Sequence, residues 1–157
     1  MSESTTSLSL TTPRRRVGAF VIDDMVVALL LFAIFYDQIM VMASHLPVVL
    51  TPEAMEAFKL EINQFTVENL SLILGLKILY HTIPVWQNGT TLGKYLMKMR
   101  VVDSRGAWRV SFVQALLRAS LRIVSEAFFY LGFVMAFFMP RRQTFHDKLS
   151  GCVVVDA

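Results

Sequence analysis

One stretch near the N-terminus constrains everything that follows. Arg14-Arg15-Arg16-Val17-Gly18-Ala19-Phe20-Val21-Ile22-Asp23-Asp24-Met25 leads into a largely apolar run that ends at Ala43. A basic cluster followed by an apolar run of spanning length reads as a membrane helix entered from the cytoplasmic side. Asp23 and Asp24 sit about two turns in, where each carboxylate costs roughly 2.5–3.5 kcal/mol to insert, so such acids mark function or a buried pair. Arg16 and Asp23 are seven residues apart, on one helix face and about 10 Å apart along its axis. Two readings of Asp23 are open. It orients the helix by pairing with an arginine, or it takes part directly in transport. The two acids interrupt the apolar run, and no small-x-small cleavage site follows it. A retained first helix, Val17 to Ala43, is therefore predicted rather than a cleaved signal.

Hydrophobic residues make up 55% of the 157-residue chain, and only 17% are charged. That is too apolar for an ordinary soluble domain and fits one small polytopic membrane module. The net charge of +3 is modest. Basic clusters beside membrane segments set topology, and no nucleic-acid partner is expected. Cys152 is the single cysteine, which excludes an internal disulfide and a cysteine-rich metal site.

Residues 1–13 are rich in Ser and Thr and are expected to form a disordered cytoplasmic tail, leaving residues 14–157 as the membrane domain. Ser44 to Pro52 breaks the first helix. Thr51-Pro52-Glu53 then carries the signals of a helix start: an N-cap hydroxyl, proline at the first position and an acid in the first turn. Glu53, Glu56, Glu61 and Glu68 with Lys59 alone suit a loop away from the cytoplasm. The helix is expected to run unbroken from Pro52 into a second membrane segment, Leu70 to Trp86. Lys77 in that segment is read as snorkelling, with an acid of the first helix as the alternative partner.

Asn88-Gly89-Thr90-Thr91-Leu92-Gly93-Lys94 looks like a phosphate loop. Its spacing is one residue short, and Tyr95 stands where a hydroxyl should bind magnesium, so a nucleotide site is rejected. Lys94, Lys98, Arg100, Arg105 and Arg109 face Asp103 alone, which marks this loop as cytoplasmic. Arg100-Val101-Val102-Asp103-Ser104-Arg105 reads as a strand and turn, with Trp108-Arg109-Val110 as one candidate partner strand. Ser111 can cap a helix whose Arg118, Arg122 and Glu126, spaced by four, form a polar stripe that should face the protein interior. The chain ends in a helical turn from Thr144 and a β-branched run, Val153-Val154-Val155.

Topology follows in three steps. Three spans would put Arg141, Arg142 and Lys148 on the wrong side. The apolar run from Ile123 to Met139 is short for a span. Val153–Val155 needs a strand partner, and Arg100-Val101-Val102 is the obvious one. Residues 111–139 are therefore expected to form a hairpin that enters from the cytoplasm and returns, bending near Tyr130-Leu131-Gly132. A single tilted span is the alternative. The fold class is an all-α integral membrane protein with two long membrane helices, a C-terminal helical hairpin or third span, and a small cytoplasmic β element.

Four elements in order resemble the RDD family of small bacterial membrane proteins. They are Arg15-Arg16-Val17-Gly18-Ala19-Phe20-Val21-Ile22-Asp23; Gly89-Thr90-Thr91-Leu92-Gly93-Lys94 with Arg100-Val101-Val102 and Gly106; Arg118; and Arg142-Gln143-Thr144-Phe145-His146-Asp147 with Ser150-Gly151-Cys152-Val153-Val154. Asp23 and Asp147 match the two aspartates that give the family its name. Cys152 stands where the family commonly has Thr, and Asp24 is an addition. The resemblance implies a bacterial membrane protein, and some members have been proposed to be cation/proton antiporters; the charge pattern adds the expectation of a multi-pass protein of the cytoplasmic (inner) membrane with its N-terminus in the cytoplasm.

Two functions from different classes follow. In the first, Asp23 exchanges a monovalent cation such as Na+ for H+. Asp24 is then a second oxygen ligand, Arg16 or Arg118 neutralises the empty site, and so short a chain needs a homo-oligomer. In the second, the chain is a scaffold or assembly factor, and Arg16, Asp23, Asp24, Arg118 and Asp147 form a structural charge network. The sequence carries no nucleophile–base pairing, metal motif or cofactor motif, so no enzyme activity and no cofactor are expected. The lipid bilayer is the expected partner.

Overall fold

The computed structural model describes residues 10–49, 51–105, 108–127 and 143–157. Seven helices and two strands are seen among them: α1 Pro13–Ile34, α2 Tyr36–Ser44, α3 Pro52–Glu68, α4 Leu70–Asn88, α5 Leu92–Leu96, β1 Met99–Asp103, α6 Phe112–Ala127, α7 Phe145–Leu149 and β2 Cys152–Asp156. The chain divides into two compact units, residues 25–76 and the remainder.

In the 25–76 unit the expected single helix to Ala43 is interrupted once, at Phe35. Its i→i−4 hydrogen bonds nevertheless carry through, with Phe35 N on Leu31 O and Ile39 N on Phe35 O, both at 2.9 Å. Phe35 stacks edge-on against Phe65, with ring centroids 5.2 Å apart. The α3 start is as read: Thr51 Oγ1 accepts from Ala54 N at 3.2 Å, with Pro52 at the first position. The predicted unbroken run from Pro52 is interrupted at Asn69. There the backbone N–H and the side-chain amide both donate to Phe65 O, the competition with the helix ladder that asparagine offers.

The second unit is built on the sheet. β1 and β2 run antiparallel in the register Met99↔Asp156, Val101↔Val154 and Asp103↔Cys152. The β-branched run at the C-terminal end therefore pairs with Arg100–Val102. Trp108–Val110 is not a strand. Both faces of the ribbon are covered, which is why its sequence is a continuous apolar run rather than an alternation. On one face Met99, Val101, Cys152 and Val154 pack with Ala19 of α1, Val85 of α4 and Ala115 of α6. On the other, Val102, Val153 and Val155 are covered by Leu10. Leu10 also bridges to Val155, and Thr11 is fully buried. The tail expected to reach Pro13 thus gives way to folded chain by Leu10, because Leu10 covers an otherwise bare apolar face.

Ser111 caps α6 reciprocally with Gln114, at 3.0 and 3.2 Å. The bend expected near Tyr130-Leu131-Gly132, and the rest of residues 128–142, lie outside the described residues. Among the described residues one helix, α1, is long and apolar enough to cross a membrane by length and composition. The expectation of two long membrane helices is met by that measure for α1 alone. Lys77, His81 and the polar end at Gln87-Asn88 lower the mean hydropathy of α4.

Candidate functional site

Three charged clusters lie in the second unit. The first two form because one face of α1 presents Arg16, Ala19 and Asp23 at i, i+3 and i+7, and the third uses Asp24 on the neighbouring face.

Asp23, fully buried, is held by four donors. Thr91 Oγ1 donates to Oδ2 at 2.6 Å, and Lys94 Nζ to the same oxygen at 3.3 Å. Gly93 N donates to Oδ1 at 2.8 Å, and Tyr80 OH to it at 2.9 Å. The stretch that resembles a phosphate loop is thus an anion cradle after all: a hydroxyl, a glycine N–H and a lysine. The anion it holds is the chain's own carboxylate. Glycine is required at 93 because a Cβ there would stand 2.2 Å from Ala19 O and 2.9 Å from Asp23 Cγ. The Lys94 ammonium is buried beside it. Burial, the largest influence, pushes its pKa down to about 8; Asp23 opposes this, and Arg118 and Arg122 add to it.

Asp147, also fully buried, is the second anion. Arg118 of α6 puts Nε at 2.7 Å and a terminal nitrogen at 2.6 Å from Oδ1. Arg16 of α1 donates to Oδ2 at 3.0 Å and to Val154 O at 3.1 Å. The same carboxylate closes a capping box with Thr144 at the start of α7. Burial alone would raise its pKa. Arg118, with His146 and Arg16, outweighs burial and holds the carboxyl below the ordinary range.

The third cluster is a chain of ion pairs. Arg122 meets Asp24 at 2.9 Å and Glu126 at 2.9 Å, and Lys77 meets Glu126 at 2.6 Å. The Arg122 guanidinium also lies over the Phe20 ring, 4.8 Å from its centroid.

The polar stripe Arg118–Arg122–Glu126 faces inward as its spacing requires. Within the expected charge network, Arg118 pairs with Asp147. Other expectations change. Arg16 reaches Asp147 rather than Asp23, which lies further along α1 and is filled by the cradle. The ammonium that neutralises Asp23 is Lys94, not Arg16 or Arg118. Asp24 does not share a site with Asp23, since neighbouring side chains on a helix diverge. Lys77 does not snorkel, because Glu126 is within reach. The sequence does not point to Tyr80, Thr91, Gly93 and Lys94 as partners of Asp23; the phosphate-loop likeness is the signal for the last three, and Tyr80 on α4 carries none.

A cavity of about 30 Å³, room for a water or two, lies between Arg16, Lys94, Arg118, Arg122, His146 and Asp147. His81, 4% exposed, has no hydrogen-bond partner for either ring nitrogen among the described residues.

Beside its apolar core the unit buries its charges and exposes large apolar side chains. Asp23, Lys94, Arg118, Arg122 and Asp147 are each 6% exposed or less, while Val17, Val21, Leu79, Trp86, Val113 and Leu117 are each 43% exposed or more. Buried charges under an apolar surface fit a lipid-facing exterior.

A family model described as the RDD family matches residues 10–151. No curated protein and no solved structure matches the chain.

Proposed function

The chain belongs to the RDD family, whose members are membrane proteins, and from that premise we propose that it is a multi-pass scaffold or assembly factor of the bacterial inner membrane. In this reading its buried charges lock membrane helices to a cytoplasmic β cap and do no transport. One observation carries the reading. Asp23 already accepts four hydrogen bonds, one of them from an ammonium, so neither oxygen is left over for a travelling ion. Asp147, Asp24 and Glu126 are likewise matched to Arg16, Arg118, Arg122 and Lys77. Half-satisfied buried charges are costly and mark chemistry; fully matched ones specify a fold.

The topology belongs to the same proposal. β2 pairs with β1 and bridges to Leu10, and Arg15 donates to the carbonyls of Met97 and Lys98. The start of α1, the 89–105 loop and the C-terminal strand therefore share one side. The basic residues of the first two support a cytoplasmic placement of that side and, with it, an even number of crossings.

A second reading, Na+/H+ exchange at Asp23, is favoured by Lys94. With its pKa at about 8, this lysine can lose its proton near neutral pH and leave Asp23 with three neutral donors. Carboxylate, Thr91 and Tyr80 oxygens then suit a hard monovalent cation, one proton leaving as one cation enters. Flux decides between the two. Pure protein in liposomes carrying opposed pH and sodium gradients should show no pH-linked sodium flux above empty liposomes. Flux that disappears in Asp23→Asn and Lys94→Met, with both proteins still folded, overturns the scaffold in favour of exchange.

A further inference from the structure

A groove of about 940 Å³ opens beside the cradle and takes no part in the charge network apart from sharing Tyr80 and Thr91. Its floor is one face of α4: Tyr80, Pro84 and Asn88 stand at i, i+4 and i+8, roughly 12 Å along the helix axis. Its wall is α5, with Leu92, Tyr95 and Leu96 each half-exposed or more. Its polar end holds Lys98 and Arg100.

Those two cations differ from the buried ones. Among the described residues neither meets a carboxylate, and the buried Nε of Arg100 has no hydrogen-bond partner. Lys98 adopts a left-handed backbone, with φ +52°, uncommon for a residue with a side chain. The conformation is held in place, since Arg15 and Ala157 N both donate to Lys98 O. Backbone strain over-determined by its surroundings clusters at binding sites.

The groove thus grades from two unpaired cations and an amide to aromatic and aliphatic walls. Exposed Tyr95 lines it, a residue type that settles at the membrane–water interface. We propose that this groove binds one anionic phospholipid, its phosphate on Lys98 and Arg100 and an acyl chain along the Asn88–Pro84–Tyr80 face of α4. The proposal rests on the membrane placement of the chain and is independent of whether Asp23 transports.

The test uses full-length protein stripped of lipid in neutral detergent, with lipid retention read by native mass spectrometry. Phosphatidylglycerol should bind about tenfold more tightly than phosphatidylcholine, the scale expected for two cations near an anionic headgroup. Raising salt should erode that preference. Lys98→Gln with Arg100→Gln should abolish it, while Arg109→Gln, an exposed cation off the groove, should not. Equal retention of the two lipids by the wild type overturns the proposal whether or not the double variant folds. A preference that survives in a folded double variant overturns it too. Inorganic phosphate competing as well as phosphatidylglycerol would mean a soluble-anion site and would equally refute the lipid.

Discussion

Replacing Gly93 with alanine tests the anion cradle most directly. The added Cβ would lie 2.2 Å from Ala19 O and 2.9 Å from both Cγ and Oδ1 of Asp23. An ordinary carbon–oxygen contact is about 3.3 Å or more, so the loop must retreat from α1 by about 1 Å. Ala19 O belongs to a helix backbone and cannot swing aside. The Gly93 N–H then leaves hydrogen-bond reach of Oδ1, which it now meets at 2.8 Å. Overpacking contributes about 1–3 kcal/mol, and losing a hydrogen bond to a buried charge about 1.5–3 kcal/mol. The expected loss is about 3–5 kcal/mol, against a total stability that for most domains is only about 5–15 kcal/mol. Gly18→Ala is the internal control. Its Cβ would meet Met97 Cε at 2.6 Å, the far end of a flexible side chain, so it should stay within about 1 kcal/mol of wild type. Reversible unfolding in mixed micelles, followed by tryptophan fluorescence, measures both. The cradle argument fails if Gly93→Ala matches Gly18→Ala. It also predicts a smaller penalty for Gly93→Ala in an Asp23→Asn background, where the charged hydrogen bond is already gone.

Arg118→Ala should cost about 3–5 kcal/mol by stranding Asp147, and Arg118→Ala with Asp147→Ala should cost less than the sum of the singles; strict additivity in a double-mutant cycle would dissolve the pair. His81→Leu should leave thermal stability unchanged or raised, since two unpartnered buried nitrogens cost about 1–3 kcal/mol; a drop in melting temperature would mean the imidazole holds a bond, to water for example. The Lys94 pKa of about 8 lies below the unfolded value of about 10.4, so the unfolded chain binds more protons between the two. Stability should therefore rise as pH climbs through that window, and Lys94→Met should flatten the rise in a pH series of unfolding curves. A C-terminal fluorescent fusion should report from the cytoplasm; periplasmic phosphatase activity at the same position would break the even crossing count.

Local signals in the sequence carry through to the fold. Thr51 and Ser111 are caps because a hydroxyl ahead of an apolar run has little else to do. Val153–Val155 found Arg100–Val102 because a lone strand must pair somewhere. Arg118 and Arg122 face inward because lipid would not take them. The partners of Asp23 were missed for a physical reason. They lie 57–71 residues away, where no helical or strand period carries information. The loop that supplies three of them lacks nucleotide spacing, yet an internal carboxylate presents a negative charge to the same donors. Arg16 was assigned by the same local geometry, and a partner 131 residues away displaced it. The hairpin near Tyr130-Leu131-Gly132 lies outside the described residues.

The separation of Asp23 from its cradle also has a meaning in time. A ribosome adds about 5–20 residues per second, so Asp23 exists for roughly 4–14 s before Lys94 is made. Arg16 waits roughly twice as long for Asp147. Throughout that interval the nascent first helix carries charges whose final partners are still unwritten. Anything that stops synthesis early leaves them so, exposed to whatever insertion factor or protease is at hand. Synthesis of Asp147 is thus the step that gives Arg16 its partner.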